Sequence, residues 1–304
     1  MQIPKEKFQV VGSRASEAEK IEKPSLSFWK DVVIRFRKNK LAMFGVVLLI
    51  LLIFMAIFGP YMTDHDYRTN NLMNTNKAPN GDHWFGTDDL GRDVFARTWE
   101  GARISLFIGV AAALVDFFIG VFYGGLAGYK GGRTDDIMMR IADILWGVPY
   151  LLLVILLMVV LGQGVGTMIL AMTITGWINM SRIVRGQVLS LKGQEFVLAS
   201  RTLGADLPRI MGKHLIPNTM GPILVTMTLS IPSAIFTESF LSYLGLGLTP
   251  PLASWGTMAS DGLPALKYYP WRLFFPATFI CLTIFAFNVI GDGLRDALDP
   301  RLRK

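Results

Sequence analysis

Two carboxylates, Glu238 and Asp116, lie inside long apolar runs of the chain. An ionisable group is expensive in hydrocarbon unless it faces a bundle interior or a wet cavity, so each is a functional-site candidate by default. For Glu238, a place on a solute path competes with a helix–helix hydrogen bond or an ion pair to an outer-loop Arg. Asp116 carries the same alternatives. Other reactive constellations fail on spacing. His65, His83 and His214 have no metal-ligand spacing, and the Asp88, Asp89 and Asp93 cluster in "TDDLGRD" lacks the alternating oxygen ligands and final Glu of a calcium loop. A solvated or inter-loop salt-bridged turn is expected there. A phosphate-cradling G-x-x-x-x-G-K-[ST] is absent: Gly212-Lys213 is the sole Gly-Lys pair, and Leu207 stands where the first Gly would be. "GQGVG" at 162–166 lacks the strand and helix of a dinucleotide site and reads as a short outer turn. No Ser-His-Asp or Cys-His set stands out. Cys281 cannot form an intrachain disulfide and is expected to be a small core residue. ATP hydrolysis by this chain is not expected, nor is a cofactor or metal of its own.

One polar constellation remains, "EFVLASRTLGADLPRIMGKHLIPN" at 195–218, set between two apolar segments. Good helix formers lead up to Gly204, which suits a left-handed position just past a helix end. Asp206 can cap a second helix that starts at Leu207-Pro208 and ends before Pro217. Two helices meeting at a glycine elbow, held between membrane helices, are suited to passing on a rigid-body push from a soluble partner.

The elements that must position these residues are membrane helices. In 304 residues, 52% are hydrophobic and 12% aromatic, above the range of ordinary soluble domains. A bilayer core needs about 20 apolar residues per helix. Six runs approach that length: 41–62, 104–129, 141–162, 166–181, 220–247 and 273–291. The expected fold is all-α, with six transmembrane helices. The N-terminal arm, the second and fourth loops and the tail hold most of the 30 basic residues, which places both termini in the cytoplasm. The expected organisation is a cytoplasmic arm over 1–40, a first membrane helix over 41–62 and an extracellular loop over 63–103. A membrane core over 104–292, containing the cytoplasmic segment 187–217, and a cytoplasmic tail over 293–304 complete it.

Residues 1–24 are charged and mixed in composition, with no cleavable signal expected. In "SFWKDVVIRFRKNK", Trp29, Val32, Val33 and Phe36 fall on one helical face opposite Lys30, Arg35 and Arg37, as in an interfacial helix. The net charge of +7 is accounted for by inner flanks facing anionic lipid; no aromatic-interleaved basic groove points to nucleic acid. Gly120, Gly124 and Gly128 form a small-residue ridge for close helix approach, either within this chain or against a partner subunit. Pro149 and Pro232 should kink their helices.

The order Ala199, Gly204, Pro217 resembles the "EAA" loop, E-A-A-x3-G-x9-I-x-L-P, of binding-protein-dependent ABC importer permeases. Leu198 and Ser200 stand at the family's Glu and second Ala, His214 at its Ile and Ile216 at its Leu. The stretches "HWFGTDDLGRDVFARTWEGARISLFIG" (83–109), "GGRTDDIMMRIADILWGVP" (131–149), "ESFLSYLGLGLTPPLASWGTM" (238–258) and "GDGLRDALDPRLRK" (291–304) extend the likeness from about residue 28 to the end. They resemble the C-type permeases of the oligopeptide, dipeptide and nickel importers, with the oligopeptide branch first, dipeptide second and nickel third. The resemblance implies a type I ABC importer permease fold and an alternating-access role without catalysis. It also implies a second permease, two P-loop ATPases that bind ATP and Mg, and an extracellular peptide-binding lipoprotein. It places the first helix of the loop in an ATPase cleft. The implied coupling residues are Glu195, Leu198, Ala199, Ser200, Arg201, Leu203, Gly204, Ala205, Asp206 and Pro217. A peptide's terminal ammonium would give Glu238, and in the same way Asp116, a transient partner on the translocation path. A self-contained ion-coupled transporter would instead predict inverted repeats and several buried charges, and a membrane enzyme a clustered catalytic set; neither pattern is evident.

Overall fold

The structure, a computed structural model, describes residues 27–299. The expectations for residues 1–24 and for the end of the tail, 300–304, fall outside them. The described residues are helical, with one isolated β-bridge between Thr87 and Asp93. The short amphipathic helix α1 (Phe28–Lys38) leads through Asn39, whose side chain accepts from the Ala42 amide, into the apolar α2 (Lys40–Phe58). A loop then reaches Asp93, which caps α3 (Val94–Lys130) by accepting from the Ala96 amide at 2.7 Å.

Helix α3 therefore begins ten residues earlier than the apolar run at 104 suggests. The polar side chains of its first turns are neutralised in place: Arg97 lies 3.4 Å from Asp88, and Arg103 pairs with Glu100 at 2.9 Å and donates to the Ala56 and Ile57 carbonyls. The acidic "TDDLGRD" turn is salt-bridged, as its composition suggests, with Asp88 held by Arg92 at 2.7 Å and Asp89 by Arg272 at 3.1 Å.

The expected third span, 141–162, is broken. Helices α4 (Gly132–Gly147) and α5 (Tyr150–Leu161) meet at Val148-Pro149 with a bend of 79°. Proline disfavours helical geometry at the residue before it, and Val148 takes an extended ψ of 129°. The Gly162–Gly164 turn leads into α6 (Val165–Leu191), which runs well past the apolar stretch that ends at 181. It can do so because Arg182 reaches Asp143 at 2.8 Å and Arg185 makes a two-pronged pair with Asp135. Beyond α7 (Glu195–Thr202) and the four-residue α8 (Leu207–Ile210), the chain continues through a π-helical turn, Met211–Leu215, into α9 (Ile216–Leu241). The second helix of the elbow thus does not end before Pro217. The widened turn, in which the Ile216 amide bonds the Met211 carbonyl, lets the missing amide and the ring of Pro217 be carried inside a continuing helix. Helix α9 also runs on through Pro222 and Pro232. Helices α10 (Trp255–Gly262) and α11 (Trp271–Leu298) complete the described chain.

Four helical stretches are long and apolar enough to cross a membrane, Lys40–Tyr61, Val94–Lys130, Leu207–Leu246 and Trp271–Leu298, and the bent α4–α5 pair makes a fifth if it is one span. The tightest contact is α3 on α6. A Cβ on Gly120 would strike Met180, one on Gly124 would meet Ser181 backbone carbon at 2.8 Å, and one on Gly128 would lie 2.9 Å from the Arg185 carbonyl oxygen. The glycine ridge is therefore used inside this chain. Cys281 is exposed on α11 and is not in the core: the apolar run that contains it presents an outward face as well as an inward one.

Candidate functional site

The first helix and the corner of the elbow at 195–217 are built as their sequence suggests, while its second helix runs on past Pro217. Gly204 takes a positive φ of 82°, and its amide donates to the Arg201 carbonyl while that of Ala205 donates to Ser200, the paired bonds of a Schellman ending. The Asp206 carboxylate accepts from the Arg209 amide at 3.1 Å and so caps the second helix. One side chain of α7, Val197, is fully buried, in a cluster with Ile210, Leu215, Val184 and Val188 that ties the elbow to α6 and α9. The opposite face is open: Glu195, Phe196, Leu198, Ala199 and Arg201 are exposed, and Leu203 at the tip is 88% accessible. Arg201 lies over the Tyr129 ring, Ser200 and Ala205 are half-buried, and Asp206 and Pro217 are exposed. A stub clamped on one side and presenting Phe196, Leu198 and Leu203 on the other has an unpartnered apolar surface of the kind that marks a docking site.

The two intramembrane carboxylates have different settings. Glu238 is fully buried in a cage of hydroxyls, accepting from Ser254 Oγ at 2.5 Å, Ser242 Oγ at 3.0 Å and Ser105 Oγ at 3.4 Å. Ser105 in turn accepts from the Trp255 amide, and Ser254 caps α10, so Glu238 joins α3, α9 and α10. Asp116 lies on a cavity of about 750 Å³ among α3, the α4–α5 bend, α6 and α9, which Glu238 does not line. Its Oδ1 is buried without a hydrogen-bond partner. It packs over Gly176, where a Cβ would come within 2.6 Å of Oδ1.

Facing Asp116 from α9 are Thr226, Ser230, Ser233 and Thr237, one helical face of hydroxyls that each donate to a carbonyl four residues back. Mean hydropathy does not show this ladder. Its signal is the i, i+4, i+7, i+11 spacing within an apolar run.

The fold also gathers residues that spacing kept apart. One ligand atom from each of His65, His83 and Asp93 falls within 4.8 Å of the others. Their donors are already engaged, His83 Nδ1 with Asp93 Oδ2 at 2.8 Å and His65 Nε2 with the Asp82 carbonyl at 3.0 Å, and the imidazoles stack at 4.3 Å. The group acts as a loop clasp.

The chain is thus a bundle of long apolar helices with a polar elbow at 195–217 set between them, and comparison with known proteins assigns its class. Residues 120–304 match the family described as binding-protein-dependent transport system inner membrane component, and residues 27–79 match the N-terminal TM domain of oligopeptide transport permease C. The chain belongs to the binding-protein-dependent transport system inner membrane components and is a multi-pass permease of the bacterial cell membrane. It is 69% identical to the oligopeptide transport system permease protein OppC of Bacillus subtilis, over 99% of both chains. It is 60% identical to the dipeptide transport system permease protein DppC of the same organism, over 100% of this chain and 95% of that one. Against the Escherichia coli OppC the identity is 44% over 94% of this chain and 95% of the relative. An inward-facing structure of the MetNI methionine ABC transporter aligns with a TM-score of 0.54 and 18% identity, covering 66% of this chain and 94% of that one, and so shares the fold.

Proposed function

We propose that this permease imports oligopeptides as one half of a heteromeric membrane pore. A homologous second permease supplies the other half, two P-loop ATPases bind ATP and Mg, and an extracellular binding lipoprotein delivers the peptide. The 69% identity to an oligopeptide permease ranks that cargo above dipeptides and nickel. In this reading α6 crosses the membrane as well, the α4–α5 pair counts as one crossing, and six spans leave both termini cytoplasmic. This chain performs no hydrolysis; it converts ATPase movement into opening of the path.

The observation that carries the mechanism is the elbow's geometry. Val197, Ile210 and Leu215 bury one side of it in the bundle, Phe196, Leu198 and Leu203 face outward, and the second arm continues without interruption into the helix Leu207–Leu246. A push on α7 is then delivered along a 40-residue lever whose middle turns line the cavity. The cavity holding Asp116 is the segment of the path that this chain contributes. Glu238, caged by serines, steadies the outer end of the same lever.

The test reconstitutes the chain alone, with the partner permease, and with both ATPases and the binding protein. ATP hydrolysis and labelled-peptide uptake are expected only in the full assembly, and hydrolysis by the isolated chain would refute the assignment. Within the assembly, Gly204→Asp is expected to abolish uptake at unchanged membrane abundance. A side chain at φ +82° strains the elbow by about 1 kcal/mol, and the added charge faces the apolar docking surface. Gly186→Ala, exposed on α6 with open space around it, is the control outside the docking face.

A further inference from the structure

We propose that Asp116 is the subsite for the α-ammonium of a peptide lying in the cavity among α3, α6 and α9, so that this permease itself reads the free amino terminus of its cargo. The inference rests on the peptide-import reading. Asp116 Oδ1 is buried and accepts no hydrogen bond, an arrangement costly enough to need a reason in a stretch of α3, 106–122, whose other side chains are all apolar. Among the described residues no Lys, Arg or His lines the cavity, so none of them offers a cation to the carboxylate.

The wall opposite has the complementary character. Thr226, Ser230, Ser233 and Thr237 all donate inward to their own helix, which spends their hydrogens and leaves their oxygens as acceptors. Trp146, Tyr150 and Asn179 also line the cavity and carry donors. Its one charge among the described residues, however, is the Asp116 carboxylate, and its α9 wall is a ladder of acceptors, which together favour a cationic ligand with N–H donors such as the amino end of a peptide. Its volume of about 750 Å³ suits a short extended segment and is within the range of about 300–1,000 Å³ usual for small-molecule sites. Gly176 keeps the floor under the carboxylate bare, since a Cβ there would press on both oxygens. An ammonium needs three acceptors, and a carboxylate with hydroxyl oxygens nearby can provide them.

The experiment uses the assembled permease pair with its ATPases, without the binding protein, so that selection by that protein plays no part. Equilibrium binding of labelled tetra-alanine and of N-acetyl-tetra-alanine is measured for wild type and for Asp116→Asn, which preserves side-chain volume. Wild type is expected to prefer the free amine, and Asp116→Asn to weaken tetra-alanine binding about tenfold while leaving the acetylated peptide unchanged. Retained binding of the acetylated peptide also shows that the variant is folded.

Equal loss for both peptides, or no loss for either, would overturn the proposal. So would a wild-type preference that depends on sodium or potassium and vanishes in choline buffer, which would assign the carboxylate to an inorganic cation. Adding the binding protein and ATP separates the two levels of inference. Tetra-alanine uptake by wild type without amine discrimination at the cavity leaves peptide import standing and removes Asp116 from recognition. Absence of ATP-driven uptake of any peptide removes both.

Discussion

Glu238 and Asp116 are chemically alike and lie in comparable apolar runs, yet only Asp116 borders the open cavity. Sequence made both visible as charges in hydrocarbon but could not rank them, because the difference is made by partners distant in the chain: Ser105 and Ser254 for one, Gly176 for the other. The cage predicts a stability role for Glu238. Glu238→Ala removes the acceptor of three hydroxyls and opens a void, a loss of about 2–4 kcal/mol. Reduced membrane abundance and a lower thermal midpoint are expected, with uptake per inserted molecule largely preserved. Glu238→Gln fills the same space and keeps an acceptor, so its abundance should approach that of wild type. A large fall in uptake per molecule for Glu238→Gln would return this residue to the translocation path.

Elements were legible where a local signal decides them and illegible where tertiary partners do. The elbow is the best case: Gly204, Asp206 and the Leu207-Pro208 start are short-range cues, and the backbone obeys each of them. Its length was misjudged because Pro217 looks like a terminator until a π turn absorbs it. Helix α6 was cut short for a different reason. Arg182 and Arg185 end an apolar run on paper, whereas Asp143 and Asp135, from the neighbouring α4, neutralise them in space. The glycine ridge of α3 shows the same limit, since spacing announces close packing without naming the neighbour. With α6 now identified as that neighbour, Gly124→Ala is expected to destabilise the protein by about 1–3 kcal/mol, because its Cβ would meet Ser181 main-chain atoms that have no side-chain freedom to move. Gly186→Ala, on α6 with open space around it, should be neutral or slightly stabilising through helix propensity. Thermal unfolding of the two purified variants checks the contrast, and equal midpoints would place the α3–α6 contact elsewhere.

At the scale of the molecule, the architecture joins an outer and an inner end through two long helices. Trp255, fully buried, donates to the Thr98 carbonyl and stacks toward Phe279, while Arg272 bonds Asn76 and Asp89, so α10 and the loop before α3 form one outer block. The elbow is at the other end of Leu207–Leu246. In the topology proposed above, the basic-residue asymmetry directs this axis so that the outer block would lie outside and the elbow in the cytoplasm. Cysteine labelling in a Cys281→Ser background tests it. Exposure decides which reporters are usable: Gly256 faces outward by topology, but it is buried against Ser239 and the Glu238 carboxylate, so a side chain there would report damage before it reported sidedness. Thr75 and Tyr268 are exposed on the outer block, and Gly193 is exposed with open space beside the elbow. An impermeant maleimide applied to intact cells is expected to label Thr75→Cys and Tyr268→Cys, and to label Gly193→Cys only after the membrane is opened. Six crossings require that pattern, because α6 must carry the chain inward between the Gly162–Gly164 turn and Gly193. Labelling of Gly193→Cys in sealed cells would mean that α6 does not cross, and the elbow could then reach no cytoplasmic ATPase.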